Sequence, residues 1–294
     1  MTRCVSRKFP KMCSTNDSES HVADRAGQLV RLLRAMDSVA VAWSGGVDSA
    51  VVAKAAAVAL GDRAVAVTAV SPSLADAERQ IAVQEARTIG IRHLEIATEE
   101  FAREEYRRNS GDRCFYCKDT LYTLMQSSLV EFGFSVLVNG ANTDDSGDHR
   151  PGMQAARDHG VRSPLIELGI DKSGVRELAR YWELSVAEKP ASPCLSSRIA
   201  YGVEVTEDRV RRVELAEAWL RGHVGLSEFR VRCEAGDLAR IEVLVSEMAA
   251  LVEESLRGQL VDRLTELGFR NVTLDLQGFR SGSMNEALVQ LGNA

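Results

Sequence analysis

No apolar run in this 294-residue chain is long enough to span a bilayer, because Lys54 interrupts the longest Ala/Val stretch. The first 20 residues carry basic side chains but no apolar h-region, which excludes a secretory signal and predicts a polar, poorly ordered tail over 1–20. Positive charge is not in excess: 36 Lys and Arg stand against 42 Asp and Glu, a net charge of −6. That balance argues against a broad nucleic-acid surface, though it leaves room for a local basic groove. Internal repeats and low-complexity tracts are absent. Two common phosphate signatures are missing as well. No Gly-Lys-Ser/Thr completes a Walker A loop, and no G-x-G-x-x-G marks a dinucleotide fold. What remains is 45% hydrophobic and 27% charged, a soluble globular composition with room for one large or two ordinary domains. A cytoplasmic enzyme is expected. Its 6 cysteines then suggest metal or thiol chemistry before structural disulfides.

The chain is organised around Val39 to Ala50, VAVAWSGGVDSA. A short apolar strand runs into a Gly-rich turn, and an Ala-rich helix follows. Gly45 and Gly46, lacking Cβ, allow close approach of a ligand to the backbone. The unsatisfied N–H groups of Ser44, Gly45, Gly46, Val47, Asp48 and Ser49 then form a phosphate site helped by the helix dipole. Ionised Asp48 cannot donate to phosphate, so its expected role is holding magnesium or positioning water.

Strands expected at 63–71, 92–97 and 134–139 alternate with helices at 75–90 and 119–132, following a helix over 21–36. This pattern predicts βαβ units and a parallel sheet. Gly140 and Asn142 follow the fourth strand, where such sheets bind ligands. Arg150 continues that loop, before a short helix at 153–159 and an extended piece at 161–165. Lys172, at the start of a helix over 174–182, is placed to reach a phosphate. Beyond the Pro-punctuated loop 189–198, a helix over 206–220, strands at 229–233, 238–245 and 272–276, and a helix over 248–267 read as a smaller α+β domain. The expected division is therefore 21–200 and 201–294. Trp43 and Trp182 read as packing residues.

Cys114 and Cys117 form a CxxC in an expected turn, and Cys194 sits in a second loop. The residues leave three readings open: a 4Fe-4S cluster with one open iron, redox or persulfide chemistry, or a zinc or structural site. Arg113, Lys118 and Arg198 nearby are expected to lower the thiol pKa values. Cys4, Cys13 and Cys233 receive no role. Arg230 and Arg232 alternate on one strand face, as either a phosphate clamp or a solvated surface. Arg209, Arg211 and Arg212 read as the charged face of a helix.

Ser44-Gly45-Gly46-Val47-Asp48-Ser49 resembles the PP-loop of ATP pyrophosphatases, which cleave ATP to AMP and pyrophosphate. The fuller set resembles the LarE family: this loop, Asn142-Thr143-Asp144-Asp145, Asp148-His149-Arg150-Pro151-Gly152, Val161-Arg162-Ser163-Pro164-Leu165, Lys189-Pro190, Cys194-Leu195-Ser196-Ser197-Arg198 and Gly278-Phe279-Arg280-Ser281-Gly282-Ser283. The resemblance covers nearly all of the chain after His21. It implies a Rossmann-like PP-loop domain and ATP-dependent sulfur transfer to pyridinium-3,5-biscarboxylate mononucleotide, with Mg2+, in the biosynthesis of the nickel-pincer nucleotide cofactor of lactate racemase. One branch of the family resembles a sacrificial enzyme that consumes the cysteine matching Cys194. Members with a further CxxC resemble a second branch, in which three cysteines hold a 4Fe-4S cluster. The second branch is expected here, with Cys114, Cys117 and Cys194 as ligands. By the same carry-over, Ser197, Arg198, Arg230 and Arg232 bind the substrate phosphate, and Glu217 is a lesser metal candidate. A homo-oligomer and a functional link to the other nickel-pincer biosynthesis proteins are also implied, and no membrane partner. The alternatives are a tRNA thiolase, which the acidic balance disfavours, an ammonia-using ligase, and a non-catalytic metal-binding module.

Overall fold

A computed structural model describes residues 15–147 and 151–280. Arg150, Asp148 and His149, residues 281–283 of the last motif, and Cys4 and Cys13 of the expected tail lie outside them.

The helices are α1 (Thr15–Arg34), α2 (Val47–Leu60), α3 (Asp76–Ile89), α4 (Glu104–Arg107), α5 (Arg113–Phe132), α6 (Pro151–Asp158), α7 (Pro164–Glu167), α8 (Lys172–Tyr181), α9 (Glu207–Trp219), α10 (Met248–Val252) and α11 (Glu254–Glu266). The strands are β1 (Val39–Ala42), β2 (Ala64–Val70), β3 (Arg92–Ala97), β4 (Val136–Val138), β5 (Phe229–Glu234), β6 (Leu238–Val243) and β7 (Asn271–Leu274). The first four strands form a parallel sheet in the order β3-β2-β1-β4. This is the α/β, Rossmann-like arrangement that the alternation of strands and helices predicts. Side-chain alternation explains its two covered faces. Val39, Val41, Ala64 and Ala66 pack into one core with α1, α2 and α8. Ala40, Val65 and Val67 face a second core with Leu121, Tyr122 and Met125 of α5 and Ala155 and Ala156 of α6. Small alanines on α2 let it lie close over the sheet.

The remaining strands form a three-stranded sheet, β5-β6-β7, with β5 antiparallel and β7 parallel to β6. Its core is not confined to residues beyond 200. Phe101, Tyr106, Leu195 and Ile199 pack there with Phe229, Val231 and Leu264, and Ile199 bridges to Cys233 of β5.

Four local expectations need correction. The first helix starts at Thr15 and not at His21. The segment 161–165 is extended only as far as its bridge from Arg162 to Val138, and Pro164 then opens α7, at a position where its missing N–H costs nothing. The long helix expected over 248–267 is broken at Glu253 into α10 and α11. The CxxC lies in the first turn of α5 and not in a loop. Among the described residues no helix is long and apolar enough to cross a membrane.

Candidate functional site

Two clusters of candidate residues lie at the ends of these elements. The first is the β1–α2 loop. Gly45 has φ +68° and backs onto Ala82 of α3, whose Cα would lie 3.0 Å from an added Cβ. Trp43 packs beneath, its indole donating to the Ala82 carbonyl at 3.1 Å. Ser44 and Ser49 hydroxyls lie 3.1 Å apart across the loop, and Ser49 donates to the Gly46 carbonyl. Val47 is a buried core residue, so it offers only its backbone. No side chain caps α2, which leaves its first N–H groups for a ligand. Gly140 is needed for a steric reason: a Cβ there would meet the Ser49 nitrogen at 2.6 Å.

Asp48 is gripped from two sides. Asn142 Nδ2 donates to its Oδ1 at 3.0 Å, and Lys172 Nζ to its Oδ2 at 2.5 Å. Asn142 also shapes its own loop, accepting from the Asp144 amide, while Asp144 accepts from the Lys172 amide. Asp171 caps α8 through the Gly174 amide and so fixes where Lys172 begins. The structure therefore gathers Ser44, Gly45, Gly46, Val47, Asp48, Ser49, Gly140, Asn142 and Lys172 at one place. Lys189 joins them. Its ammonium donates to Glu78 Oε2 at 2.6 Å and reaches the Gly45 carbonyl at 3.4 Å. The sequence reading gave it no role, although Lys189-Pro190 stands in a recognised motif.

The second cluster is the thiol site. Cys114 and Cys117, three residues apart, share a face of α5. Cys194 precedes a short 3-10 turn, Leu195–Arg198. Buried Arg113 ties the two segments together, donating to the Ser196 carbonyl at 2.8 Å and to Asn109 Oδ1. Asn109, in a left-handed conformation, donates through Nδ2 to the carbonyls of Ile199, Ala200 and Val203. Tyr106 pairs with the Ser196 hydroxyl at 2.8 Å, and the Leu195 amide donates to the Ser73 carbonyl at 2.9 Å. Asn109 and Tyr106 were missed by sequence reading, and Ser196 was given no role within its motif, because nothing local links residues some ninety positions apart.

The expected depression of thiol pKa values is reversed for two of the three. Burial pushes Cys117 up to about 12, against the pull of Lys118. Desolvation at its thiol, then the charge on Cys194, raises Cys114 despite Arg113 and Lys118, although the residue reaches the surface. Desolvation outweighs the cations here. Cys194 is among the groups whose charge acts on both, so the three thiols share one electrostatic neighbourhood. Cys233 is elsewhere, fully buried in the core of the three-stranded sheet, its thiol pushed up to about 11 by burial.

The arginines divide. Arg198, 4% exposed, forms a buried pair with Glu217 at 3.1 Å and also holds the carbonyls of Pro193 and Cys194. Glu217, the lesser metal candidate, accepts in addition from the Val231 amide. Arg232 bonds Glu242 and the Ser197 carbonyl. These two guanidiniums hold the thiol loop on the second sheet, a structural part that the phosphate assignment did not foresee. Ser197 is half-buried beside them, its hydroxyl donating to the Cys194 carbonyl at 2.7 Å. Arg230 differs: its hydrogen bond among the described residues is to the Phe229 carbonyl, and its guanidinium lies over Phe279 at 5.1 Å. Burial, then repulsion from Arg198, presses its pKa down. A charge disfavoured in this way gains from an incoming anion.

Among the described residues no three His, Cys, Asp or Glu side chains are gathered closely enough to hold a metal ion. Three thiols with Arg113 and Lys118 beside them are a donor set that fits an iron–sulfur group.

A parallel sheet with a glycine loop at the N-terminus of the helix that follows its β1 defines an α/β protein with a Rossmann-like domain. No family model matches the chain. Among curated proteins, the pyridinium-3,5-bisthiocarboxylic acid mononucleotide synthase of Lactiplantibacillus plantarum is 34% identical over 92% of this chain and 96% of its own length. The chain belongs to the family of that synthase, LarE. An uncharacterized protein of Synechocystis is 44% identical over 87% of the chain and 94% of its own length. A second uncharacterized protein, from Methanocaldococcus jannaschii, is 27% identical over 59% of the chain and 66% of its own length.

Proposed function

We propose that this protein is an ATP-dependent sulfurtransferase that converts the carboxylates of pyridinium-3,5-biscarboxylate mononucleotide to thiocarboxylates, for the nickel-pincer nucleotide. The observation that carries the reading is the pairing of the CxxC helix with the Cys194 loop through Arg113 and Asn109, in a chain 34% identical to a synthase of the corresponding bisthiocarboxylic acid.

The chemistry follows from leaving-group ability. A carboxylate oxygen is a poor leaving group. Attack of that oxygen on the α-phosphorus of ATP expels pyrophosphate and gives an acyl-adenylate. A sulfur nucleophile then attacks the acyl carbon, and AMP departs with the carboxylate oxygen. The loop amides of Gly45 to Ser49 hold phosphate, and Asp48 is the residue that would hold Mg2+ once Lys172 turns from it to a phosphate. Arg230 binds the substrate's phosphate, with Ser197 beside it. Cys114, Cys117 and Cys194 would hold the 4Fe-4S cluster. When bound, that cluster supplies an open iron able to carry an additional sulfide. Arg113 and Lys118 offset the charge of three thiolates, and Arg198 fixes the backbone that presents Cys194.

The test is anaerobic reconstitution followed by iron and sulfide assays, on wild type and on Cys114→Ala, Cys117→Ala and Cys194→Ala. About four irons per chain, lost in each variant, with thiocarboxylate formed from the biscarboxylate nucleotide and Mg-ATP, is the expected result. Product formed by all three variants would overturn it. Cys194 is exposed on its loop, and in a second reading its own sulfur is consumed. Loss of the mass of hydrogen sulfide at Cys194 after one turnover would select that reading.

A further inference from the structure

Lys189 occupies a position that the proposed reaction has not yet used. Its Nζ lies 2.6 Å from Glu78 Oε2 and 3.4 Å from the Gly45 carbonyl. An ammonium has three donors. Two are accounted for among the described residues, and the longer of these contacts is weak. The helix that supplies Glu78, α3, is also the surface against which Gly45 is wedged, because Ala82 lies one turn further on. One helix thus braces the glycine loop and holds a lysine at its edge. Lys172 stands at the other end of the loop, on Asp48. The two ammonium groups together flank the backbone from Gly45 to Asp48, a span that suits a chain of phosphates better than a single one.

We propose that Lys189 is a polyphosphate-binding residue, held on Glu78 in the free protein and transferred to the phosphates beyond the α-phosphate when the nucleotide enters. This rests on the ATP reading above. A carboxylate holds the side chain extended toward the loop, so little rotamer entropy is lost when the phosphate replaces it. Lys189 also begins the exposed segment 190–194 that ends at Cys194, whose far side is anchored by the Leu195 amide on Ser73. Moving Lys189 therefore pulls on the segment that presents the thiol.

Calorimetric titration of the full chain with Mg2+ and α,β-methylene-ATP, and separately with AMP, tests the proposal. Lys189→Met is expected to weaken the triphosphate analogue by at least about tenfold and AMP by less than about threefold, while Lys189→Arg retains most of the affinity. Glu78→Gln, which removes the competing carboxylate, is expected to tighten the analogue. Equal losses for both nucleotides in Lys189→Met would show a merely structural strut and overturn the proposal, as would wild-type affinity for the analogue. Wild type binding neither nucleotide would remove the ATP reading itself, and this inference with it.

Discussion

Single residues decide whether the two clusters exist at all. Gly140 is pressed against the start of α2 so closely that any side chain meets backbone, which cannot swing away. Gly140→Ala is expected to cost about 1–3 kcal/mol, read as a lower urea midpoint, and to weaken nucleotide binding. The buried Arg198–Glu217 pair makes a second case. Glu217→Ala would leave a guanidinium without its carboxylate in a site closed to water, at about 3–5 kcal/mol. Arg79→Ala, which removes an exposed pair with Glu95, is expected to leave the midpoint almost unmoved. The residue scale is also where the sequence said least. The SGGVDS loop, with Asp48 in it, is a local pattern and was readable. Arg113 was visible only as a charge near a thiol, and its binding of Ser196 depends on a contact made after folding. Its effect was misjudged because composition shows the cations near a thiol but not its burial.

Elements carry these residues into register. Helix α8 begins at Lys172 because Asp171 accepts the Gly174 amide at 2.8 Å. Asp171→Ala is expected to cost about 1 kcal/mol in denaturant unfolding and to loosen the Lys172–Asp48 contact, raising the Kd for Mg-ATP a few-fold. Strand β5 supplies a pH-dependent element. Burial raises the Cys233 thiol to about 11, so the unfolded chain loses that proton first. The contribution is therefore fully present below about pH 8.5 and is lost as pH climbs toward 11, falling by about 2 kcal/mol by pH 10. Cys233→Ala should flatten the urea midpoint between pH 8 and 10 relative to wild type. At this scale the sequence was most legible. Strand and helix periods place β1, β2, β3 and most helices, whereas the start of α5 hid behind Asn109-Ser110-Gly111-Asp112, residues that usually mark a turn.

For the whole molecule, the two sheets are joined by more than a linker. The core of the three-stranded sheet takes Phe101, Tyr106, Leu195 and Ile199 from the segment preceding the boundary expected at 200. A fragment of residues 201–294 is accordingly expected to show no cooperative thermal transition by circular dichroism, while the full chain does. A sharp transition in the fragment would show that those four side chains are dispensable. The thiol loop crosses from one core to the other, which explains why the chain could be divided by composition while the position of Cys194 could not be inferred that way.

One consequence concerns observation rather than stability. The Asn109 carboxamide is fully enclosed and shared among three carbonyls, with Arg113 on its oxygen. Primary amide protons on a protein surface trade with solvent quickly, but these belong to a side chain closed off from it. In a nitrogen-15 spectrum they form an isolated pair whose persistence in heavy water reports, without any ligand or turnover, on whether the cysteine loop is docked.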